Sequence, residues 1–122
     1  MTKDEERKIQ EIKDFVKKYC EERDWDQFHN AKELAIALSV EAGELLAPFR
    51  FKSDKEIEEL FKNAKKREEI EDEMADVLYF LIRLAQRYNI DLADAFDKKM
   101  EKNKKNYPID KAKGSNKKYS EF

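Results

Sequence analysis

Glycine and proline are nearly absent from this chain of 122 residues, which contains two of each. So few turn-forming residues exclude a β-sandwich with many turns, a collagen-like protein and a flexible linker. No segment approaches the roughly 18 apolar residues of a membrane span, and the opening segment Met1–Glu6 is hydrophilic. These absences predict a soluble, cytoplasmic protein with no membrane partner.

Cysteine and histidine are equally scarce, since Cys20 and His29 are the single residues of their types. One cysteine excludes an intrachain disulfide and any cysteine-based zinc or iron–sulfur site. A di-iron bundle is excluded as well, because it requires Glu-x-x-His pairs. The net charge of −2, from 26 basic and 28 acidic residues, gives no indication of a nucleic-acid polymer as partner.

Charge and helical periodicity are what the chain has in abundance. Charged residues make up 44% and apolar residues 40%, and the apolar ones recur every three or four positions. The pattern predicts four long helices, over residues 4–22, 31–47, 66–88 and 92–106. A capping box at Ser53 and Glu56 opens a short helix, residues 23–29 form a loop, and residues 108–122 form a mostly irregular tail. We expect one all-α domain over residues 1–122, a four-helix bundle completed by oligomerisation.

A carboxylate interrupts the apolar stripe of the predicted second helix. That stripe consists of Leu34, Leu38, Leu45 and Phe49. On a helical wheel Glu41 lies inside it, about 20° from Leu34. Glu44 follows one turn later, about 60° to the side. Because an unpaired buried carboxylate would neutralise or destabilise the fold, a positive group is expected to meet Glu41.

The predicted third helix repeats this pattern. Its apolar face consists of Ile70, Met74, Val77, Leu81, Leu84 and Tyr88, and its acidic border of Glu69, Glu73 and Asp76. Residues 77–82 are apolar on nearly all sides, so deep burial is expected there. Packing the two helices face to face brings Glu41 and Glu44 into one cavity with Glu73 and Asp76.

Four carboxylates in one cavity stay ionised together only when a cation neutralises them. Oxygen ligands without histidine or cysteine suit Mg²⁺ or Mn²⁺ rather than zinc or copper. Mg²⁺ commonly shares its ligand shell with substrate phosphates, so the residues predict a metal-dependent enzyme acting on a phosphorylated substrate. The competing interpretation is a non-catalytic helical interaction protein whose acidic clusters are solvated helix faces.

Lysine is concentrated near the end of the chain. Residues 98–122 contain nine lysines and three acidic residues, a net charge of +6, which leaves −8 on residues 1–97. Most of these lysines are expected to be solvated. Lys99 and Asn103 are the exception, because they lie four residues apart on one helix face and are placed to contact phosphate and sugar.

Several segments, taken in order, carry a family resemblance. They are Glu21–His29, Leu38–Leu45, Glu73–Leu78, Lys99–Pro108 and Gly114–Tyr119. The chain resembles the all-α nucleoside triphosphate pyrophosphohydrolases of the MazG-like superfamily, and within it the dCTP pyrophosphatase branch. The resemblance extends from about Val16 to Tyr119. It implies hydrolysis of a nucleoside triphosphate between the α and β phosphates, giving the monophosphate and pyrophosphate.

The resemblance also implies roles for individual residues. It makes Glu41, Glu44, Glu73 and Asp76 the Mg²⁺ ligands, and it places Lys99 and Asn103 at nucleotide-contacting positions and Trp25 in the base pocket. It further implies a homotetramer, a dimer of dimers, whose active sites are built from more than one subunit. Both house-cleaning of modified nucleotides and control of dNTP pools fit such an enzyme.

Three positions depart from the dCTP branch. Val16 stands where the branch has histidine, Phe51 where it has tryptophan, and Phe80 where it has tyrosine. The aromatic surfaces persist, but the hydrogen-bonding groups that can discriminate between substrates are lost. The metal chemistry is therefore indicated more firmly than the choice of dCTP. A related phosphohydrolase acting on dUTP or on phosphoribosyl-ATP is the alternative enzyme.

The expected mechanism is attack of water on the α-phosphorus. Glu41 or Glu44 would orient or deprotonate that water, and Lys99 would offset charge on the phosphate oxygens. The residues expected to enclose the base are Trp25, Phe51 and Phe80. His29 is a candidate general base, and equally a packing or base-contacting residue. Lys118 and Tyr119 are candidates for closing over the site from the tail.

Overall fold

The computed structural model describes residues 1–122, and it contains helices and no β-strand. Its seven α-helices are α1 Lys3–Glu6, α2 Ile9–Glu22, α3 Ala31–Leu46, α4 Asp54–Lys62, α5 Ala64–Arg87, α6 Leu92–Asn106 and α7 Ile109–Ala112. Short 3-10 helices occupy Asp26–Phe28, Ala47–Phe49 and Tyr119–Glu121. None of the helices is long and apolar enough to cross a bilayer. The expectation of an all-α fold is confirmed.

The chain divides into two compact units, Met1–Asn89 and Ile90–Phe122. The first unit contains α1 to α5, and the second contains α6 and α7. In the first unit α5 is central, because it packs against α2, α3 and α4, and most extensively against α3. The buried apolar side chains there are Val16, Cys20, Leu34, Ile70, Ile82 and Ala85. The extensive packing of α3 on α5 therefore brings side chains of these two helices close together.

Capping residues explain where the helices begin. Asn30 and Asp91 each accept a hydrogen bond from the backbone N–H three residues ahead, which satisfies a donor that has no partner within the helix. Ser53 and Glu56 satisfy each other's backbone N–H groups as a capping box. Asn89 has a positive φ of 55° after the end of α5. These signals predicted the starts of α3, α4 and α6, whereas α5 begins at Ala64, two residues before its predicted start.

The predicted first helix, over residues 4–22, is interrupted in the structure. The backbone is extended at Arg7 and Lys8, which separates α1 from α2. The carboxylate of Glu11 accepts a hydrogen bond from the backbone N–H of Lys8 at 3.0 Å, so α2 begins with a cap of its own. The tail is also more regular than expected, because it contains α7 and a 3-10 helix.

The prediction that the apolar face of α5 is deeply buried is wrong for the single chain. Met74, Leu78 and Leu81 are 55%, 46% and 39% exposed, whereas Ile82 is 2% exposed. A helix that is apolar on nearly all sides needs neighbours on every side. The helices α2, α3 and α4 cover one side of α5 and leave these three side chains uncovered.

Candidate functional site

Three of the four predicted metal ligands converge where α3 packs against α5. Glu41 on α3 and Glu73 and Asp76 on α5 each offer a carboxylate oxygen, and these oxygens lie within 4.8 Å of one another. Glu41 and Glu73 are half-buried, and Asp76 is exposed. The helical spacing of Glu73 and Asp76 turns both carboxylates toward Glu41.

Glu73 is the carboxylate with an unsatisfied atom. Its Oε2 is buried and has no hydrogen-bond partner. Loss of hydration raises the pKa of Glu73, and the neighbouring charges of Glu41 and Asp76 raise it further. A divalent cation fits this donor set, because it would neutralise the repulsion and give the buried oxygen a partner.

Glu44 lies one turn after Glu41 on α3, outside the group of three. Its side chain is exposed, and its charge contributes to raising the pKa of Glu73. The fourth predicted carboxylate is therefore close enough to act electrostatically on the cluster, and it is more accessible to water than the half-buried Glu41.

An aromatic cavity of about 640 Å³ borders this cluster. Its lining consists of Phe15, Tyr19, Trp25, Phe28, His29, Glu41, Ala75, Asp76, Tyr79 and Phe80. The ring of Tyr19 meets those of Trp25 and Tyr79 edge to face, with centroids 5.7 and 6.1 Å apart. The cavity thus combines flat apolar walls with two carboxylates, which suits a planar ring that carries a metal-binding group.

Phe51 does not line this cavity of the single chain. It is 90% exposed with a positive φ of 61°, and the guanidinium carbon of Arg50 lies 4.6 Å from the centre of its ring. The predicted aromatic trio is therefore divided: Trp25 and Phe80 line the cavity, and Phe51 faces solvent. Val16, where the resemblance to the dCTP branch implies a histidine, is buried in the core.

Four aromatic lining residues were missing from the sequence prediction: Phe15, Tyr19, Phe28 and Tyr79. Phe15 and Tyr19 lie four residues apart on α2, and their rings stack with centroids 6.2 Å apart. That spacing was the available signal for a shared face. The hydroxyl of Tyr79 lies 3.3 Å from the sulfur of Cys20, and burial raises the pKa of Tyr79 well above its usual range.

A fifth residue that the sequence prediction missed is Arg83, which is completely buried. Its guanidinium donates to the carboxylate of Asp26, to Nδ1 of His29 at 2.9 Å and to Oε1 of Gln86 at 2.5 Å. The hydrogen bond from Arg83 holds the pKa of Asp26 below its usual value. Arg87 adds hydrogen bonds to the backbone carbonyls of Asp26 and His29, both at 3.3 Å. These contacts fix the loop that carries Trp25 and His29.

A second cavity, of about 540 Å³, also borders the carboxylates. Its lining consists of Glu44, Ala47, Pro48, Arg50, Lys52, Leu60, Lys66, Glu69, Ile70 and Glu73. Glu41 and Asp76 line the aromatic cavity, whereas Glu44 and Glu73 line this one. The acidic cluster therefore has aromatic rings in one neighbouring cavity and three cationic side chains in the other.

The remaining predicted residues lie in the second unit. Lys99 is exposed and Asn103 is half-buried on α6, four residues apart as the sequence indicated. Lys118 precedes the last 3-10 helix, and the ring of Tyr119 packs edge to face on Tyr107 with centroids 5.7 Å apart. The contacts of these side chains with a substrate stay predictions.

Comparisons with known proteins identify the family. Residues 36–122 match the sequence model of the MazG-like family. The chain belongs to the MazG-like family. It is 37% identical over 114 residues to dCTP pyrophosphatase 1 of Rattus norvegicus and 36% identical to that of Homo sapiens, and each match covers 93% of this chain and 67% of the relative.

A solved structure is similar to this MazG-like chain as well. A pyrophosphatase from Archaeoglobus fulgidus superposes with a TM-score of 0.76 and 35% sequence identity, covering 81% of this chain and 91% of the other. The similarity therefore extends to the helical architecture. The segment that matches the family contains the four carboxylates and Arg83.

Proposed function

We propose that this MazG-like protein is a metal-dependent pyrophosphohydrolase that converts dCTP, or a closely related (d)NTP, into the monophosphate and pyrophosphate. The protein is a nucleoside triphosphate pyrophosphatase, in agreement with its family and its dCTP pyrophosphatase relatives. The observation that carries the metal-dependent chemistry is the orphaned carboxylate oxygen of Glu73, held beside Glu41 and Asp76 at the edge of an aromatic cavity.

The metal that best suits these ligands is Mg²⁺, with Mn²⁺ as a substitute. Glu41, Glu73 and Asp76 would hold it through oxygen alone, with Glu44 nearby. A bound ion would supply charge neutralisation for the phosphates and would make the attacking water more acidic.

Glu44 is the carboxylate that we assign to the attacking water. It is exposed and lies outside the group of three, so its oxygens are available for a proton. The water oxygen forms a bond to the α-phosphorus, the bond from this phosphorus to the bridging oxygen breaks, and pyrophosphate leaves. The proton of the water passes to the carboxylate.

We infer the orientation of the substrate from the chemistry of the two cavities. The base would lie against Trp25 and Phe80, the α-phosphate at the carboxylates, and the β and γ phosphates toward the cavity lined by Arg50, Lys52 and Lys66. This order places each part of the nucleotide beside groups of matching chemistry. Contacts from Lys99 and Asn103 to phosphate and sugar, and closure by Lys118 and Tyr119, are further parts of the proposal that rest on the resemblance.

Assembly into a homotetramer, a dimer of dimers, completes the proposal. Met74, Leu78 and Leu81 of α5 and Ile36 and Val40 of α3 are exposed apolar residues of the kind that a second copy would cover. In such an assembly the exposed ring of Phe51 would contribute to the base pocket of another subunit. The cytoplasm is the compartment that we propose for the enzyme.

Product analysis across a nucleotide panel tests the proposed function. The purified protein is incubated with each common dNTP and NTP, and with phosphoribosyl-ATP, in Mg²⁺, in Mn²⁺ and in EDTA. We expect monophosphate and pyrophosphate from dCTP with either metal and no turnover in EDTA. Release of orthophosphate would contradict cleavage at the α–β bond. Absence of pyrophosphate from every triphosphate would favour the helical interaction protein.

A further inference from the structure

His29 is tied to Arg83 through one ring nitrogen. Nε of Arg83 donates to Nδ1 of His29 at 2.9 Å, and the His29 ring lines the aromatic cavity with its centroid 6.0 Å from that of Trp25. A guanidinium nitrogen always carries its hydrogen, so Nδ1 is the acceptor in this bond. A neutral imidazole that accepts at Nδ1 carries its own hydrogen on Nε2.

The position of Arg83 is fixed by its surroundings, so its hydrogen bond to His29 is maintained. Its side chain is completely buried, and its other nitrogens are engaged by Asp26 and Gln86. A second cation, Arg87, binds the backbone carbonyl of His29 at 3.3 Å. The charged groups that act on the imidazole are therefore two arginines and one carboxylate. Burial lowers the pKa of His29, and the charges of Arg83 and Arg87 lower it further against the opposing effect of Asp26.

This arrangement argues against His29 as a general base, one of the roles for which the sequence made it a candidate. Nδ1 already accepts a hydrogen bond, and Nε2 already carries a hydrogen, so neither nitrogen has a free lone pair. Protonating Nδ1 would set an N–H against the N–H of Arg83. What remains available, on the side of the ring away from Arg83, is a hydrogen-bond donor.

We propose that Arg83 is a positioning residue that fixes His29 as the Nε2–H tautomer, and that His29 donates this hydrogen to N3 of a cytosine base in the aromatic cavity. The proposal rests on the function proposed above and deepens it. N3 of cytosine is an acceptor, whereas N3 of uracil and thymine carries a hydrogen and would face the donor unfavourably. His29 would then discriminate cytosine from the other pyrimidines in place of the hydrogen-bonding groups lost at Val16, Phe51 and Phe80.

NMR of the unmodified protein tests the first half without any substrate. Because His29 is the only histidine, a long-range proton–nitrogen spectrum of the imidazole needs no assignment. We expect the Nε2–H pattern at pH 7.5 and a titration midpoint below 6.5, the ordinary value for histidine. An Nδ1–H pattern, an averaged mixture of tautomers, or a midpoint at 6.5 or above would overturn it.

Arg83→Lys separates positioning from charge. Lysine keeps the positive charge and loses the planar group that bonds Asp26 and His29 together, so we expect a mixture of tautomers and a higher midpoint. Lys17→Ala, an exposed substitution on α2, should leave the spectrum unchanged. If Arg83→Lys does not fold, the spectrum of the unmodified protein still decides the tautomer. A folded Arg83→Lys variant with an unchanged spectrum would remove Arg83 from the proposal.

Kinetics with paired substrates test the second half. We expect His29→Ala to lower kcat/KM for dCTP about 100-fold and for dUTP less than about threefold, because only the cytosine contact is lost. His29→Gln, which retains an N–H donor, should restore part of the preference. Equal losses for both nucleotides would show a merely structural role, and no loss for either would overturn the base contact.

Failure of the proposed function is a separate result. An unmodified protein that hydrolyses no dNTP would end both that function and the base contact, while the NMR spectrum would still establish or refute the tautomer. Binding of the α,β-methylene analogue of dCTP gives a further readout, because a new hydrogen bond should move the Nε2–H proton downfield. No shift on saturation with this analogue would contradict the contact.

Discussion

The hydroxyl of Tyr88 accepts a hydrogen bond of 2.6 Å from the backbone N–H of Ala31. Tyr88 directly follows α5 and Ala31 begins α3, so the residue after one helix caps the start of the other. The N–H of Ala31 is among the first four of α3, which lack partners within the helix. The two helices that carry the carboxylates are thus tied together at the end nearest the loop of Trp25 and His29.

Removing this hydroxyl should weaken the first unit. We expect Tyr88→Phe to lower the free energy of unfolding by about 1 kcal/mol, the typical net value of one hydrogen bond. Urea titration followed by circular dichroism measures the loss. Tyr107→Phe, a tyrosine of the second unit, is the control and should change stability less. Equal stability of Tyr88→Phe and the unmodified protein would show that water replaces the contact.

Neutralising Glu73 should separate stability from activity. Because loss of hydration and neighbouring charges raise its pKa, Glu73→Gln removes repulsion and should increase the melting temperature of the metal-free protein. The same change removes a proposed metal ligand, so we expect kcat/KM with Mg²⁺ to fall by about 100-fold or more. Loss of a residue that only orients a metal ligand already lowers activity by about 10- to 100-fold, and loss of the ligand itself should cost at least as much.

Asp72→Asn supplies the matched control for this experiment. Asp72 precedes Glu73 on α5 and is exposed, so its substitution should alter neither melting temperature nor turnover appreciably. A lower melting temperature for Glu73→Gln than for the unmodified protein, both measured without metal, would contradict this prediction. It would show that the Glu73 carboxylate stabilises the metal-free fold. Glu41→Gln should parallel Glu73→Gln and remain folded, whereas an interaction protein would lose nothing by either change.

The lowered pKa of His29 predicts how stability depends on pH. The unfolded chain takes up a proton near pH 6.5 while the folded chain still holds His29 neutral. The contribution of His29 is therefore complete above pH 6.5 and is lost as the pH falls below that value. Between pH 7.5 and 5.5 the unmodified protein should lose more unfolding free energy than His29→Gln. Chemical denaturation at the two pH values measures this, and parallel losses would contradict it.

The basic cavity predicts an effect on phosphate binding. We expect Lys66→Ala to raise KM for dCTP and the inhibition constant for pyrophosphate about tenfold, equivalent to ~1.4 kcal/mol of binding, with little change in kcat. Lys65→Ala is the control, because Lys65 is its exposed neighbour and does not line the cavity. Steady-state kinetics with and without added pyrophosphate distinguish the two variants. Identical constants for both would place the β and γ phosphates elsewhere.

Helix boundaries and the acidic cluster were accessible from the sequence for local reasons. Asn30, Ser53 and Asp91 cap helices through bonds that span three residues, and such signals are readable without a fold. The position of Glu41 within an apolar stripe likewise follows from helical geometry alone. It predicted correctly that this carboxylate would face α5.

What the sequence did not indicate depends on contacts between distant segments. Arg83 is an isolated cation in an apolar run, and its burial makes sense only with Asp26 and His29 beside it. Leu78 and Leu81 are exposed because the helices of one chain cover only one side of α5. Periodicity identifies an apolar surface but does not identify which molecule covers it.

If a second subunit covers the exposed side of α5, protein concentration becomes a variable of this enzyme. If subunit association buries Met74, Leu78 and Leu81, the transition midpoint in heat or urea must rise as the protein is concentrated, by mass action. Specific activity should then fall on dilution, as isolated subunits with incomplete base pockets accumulate. The rate of nucleotide hydrolysis in a cell would then rise more than in proportion to the amount of this protein.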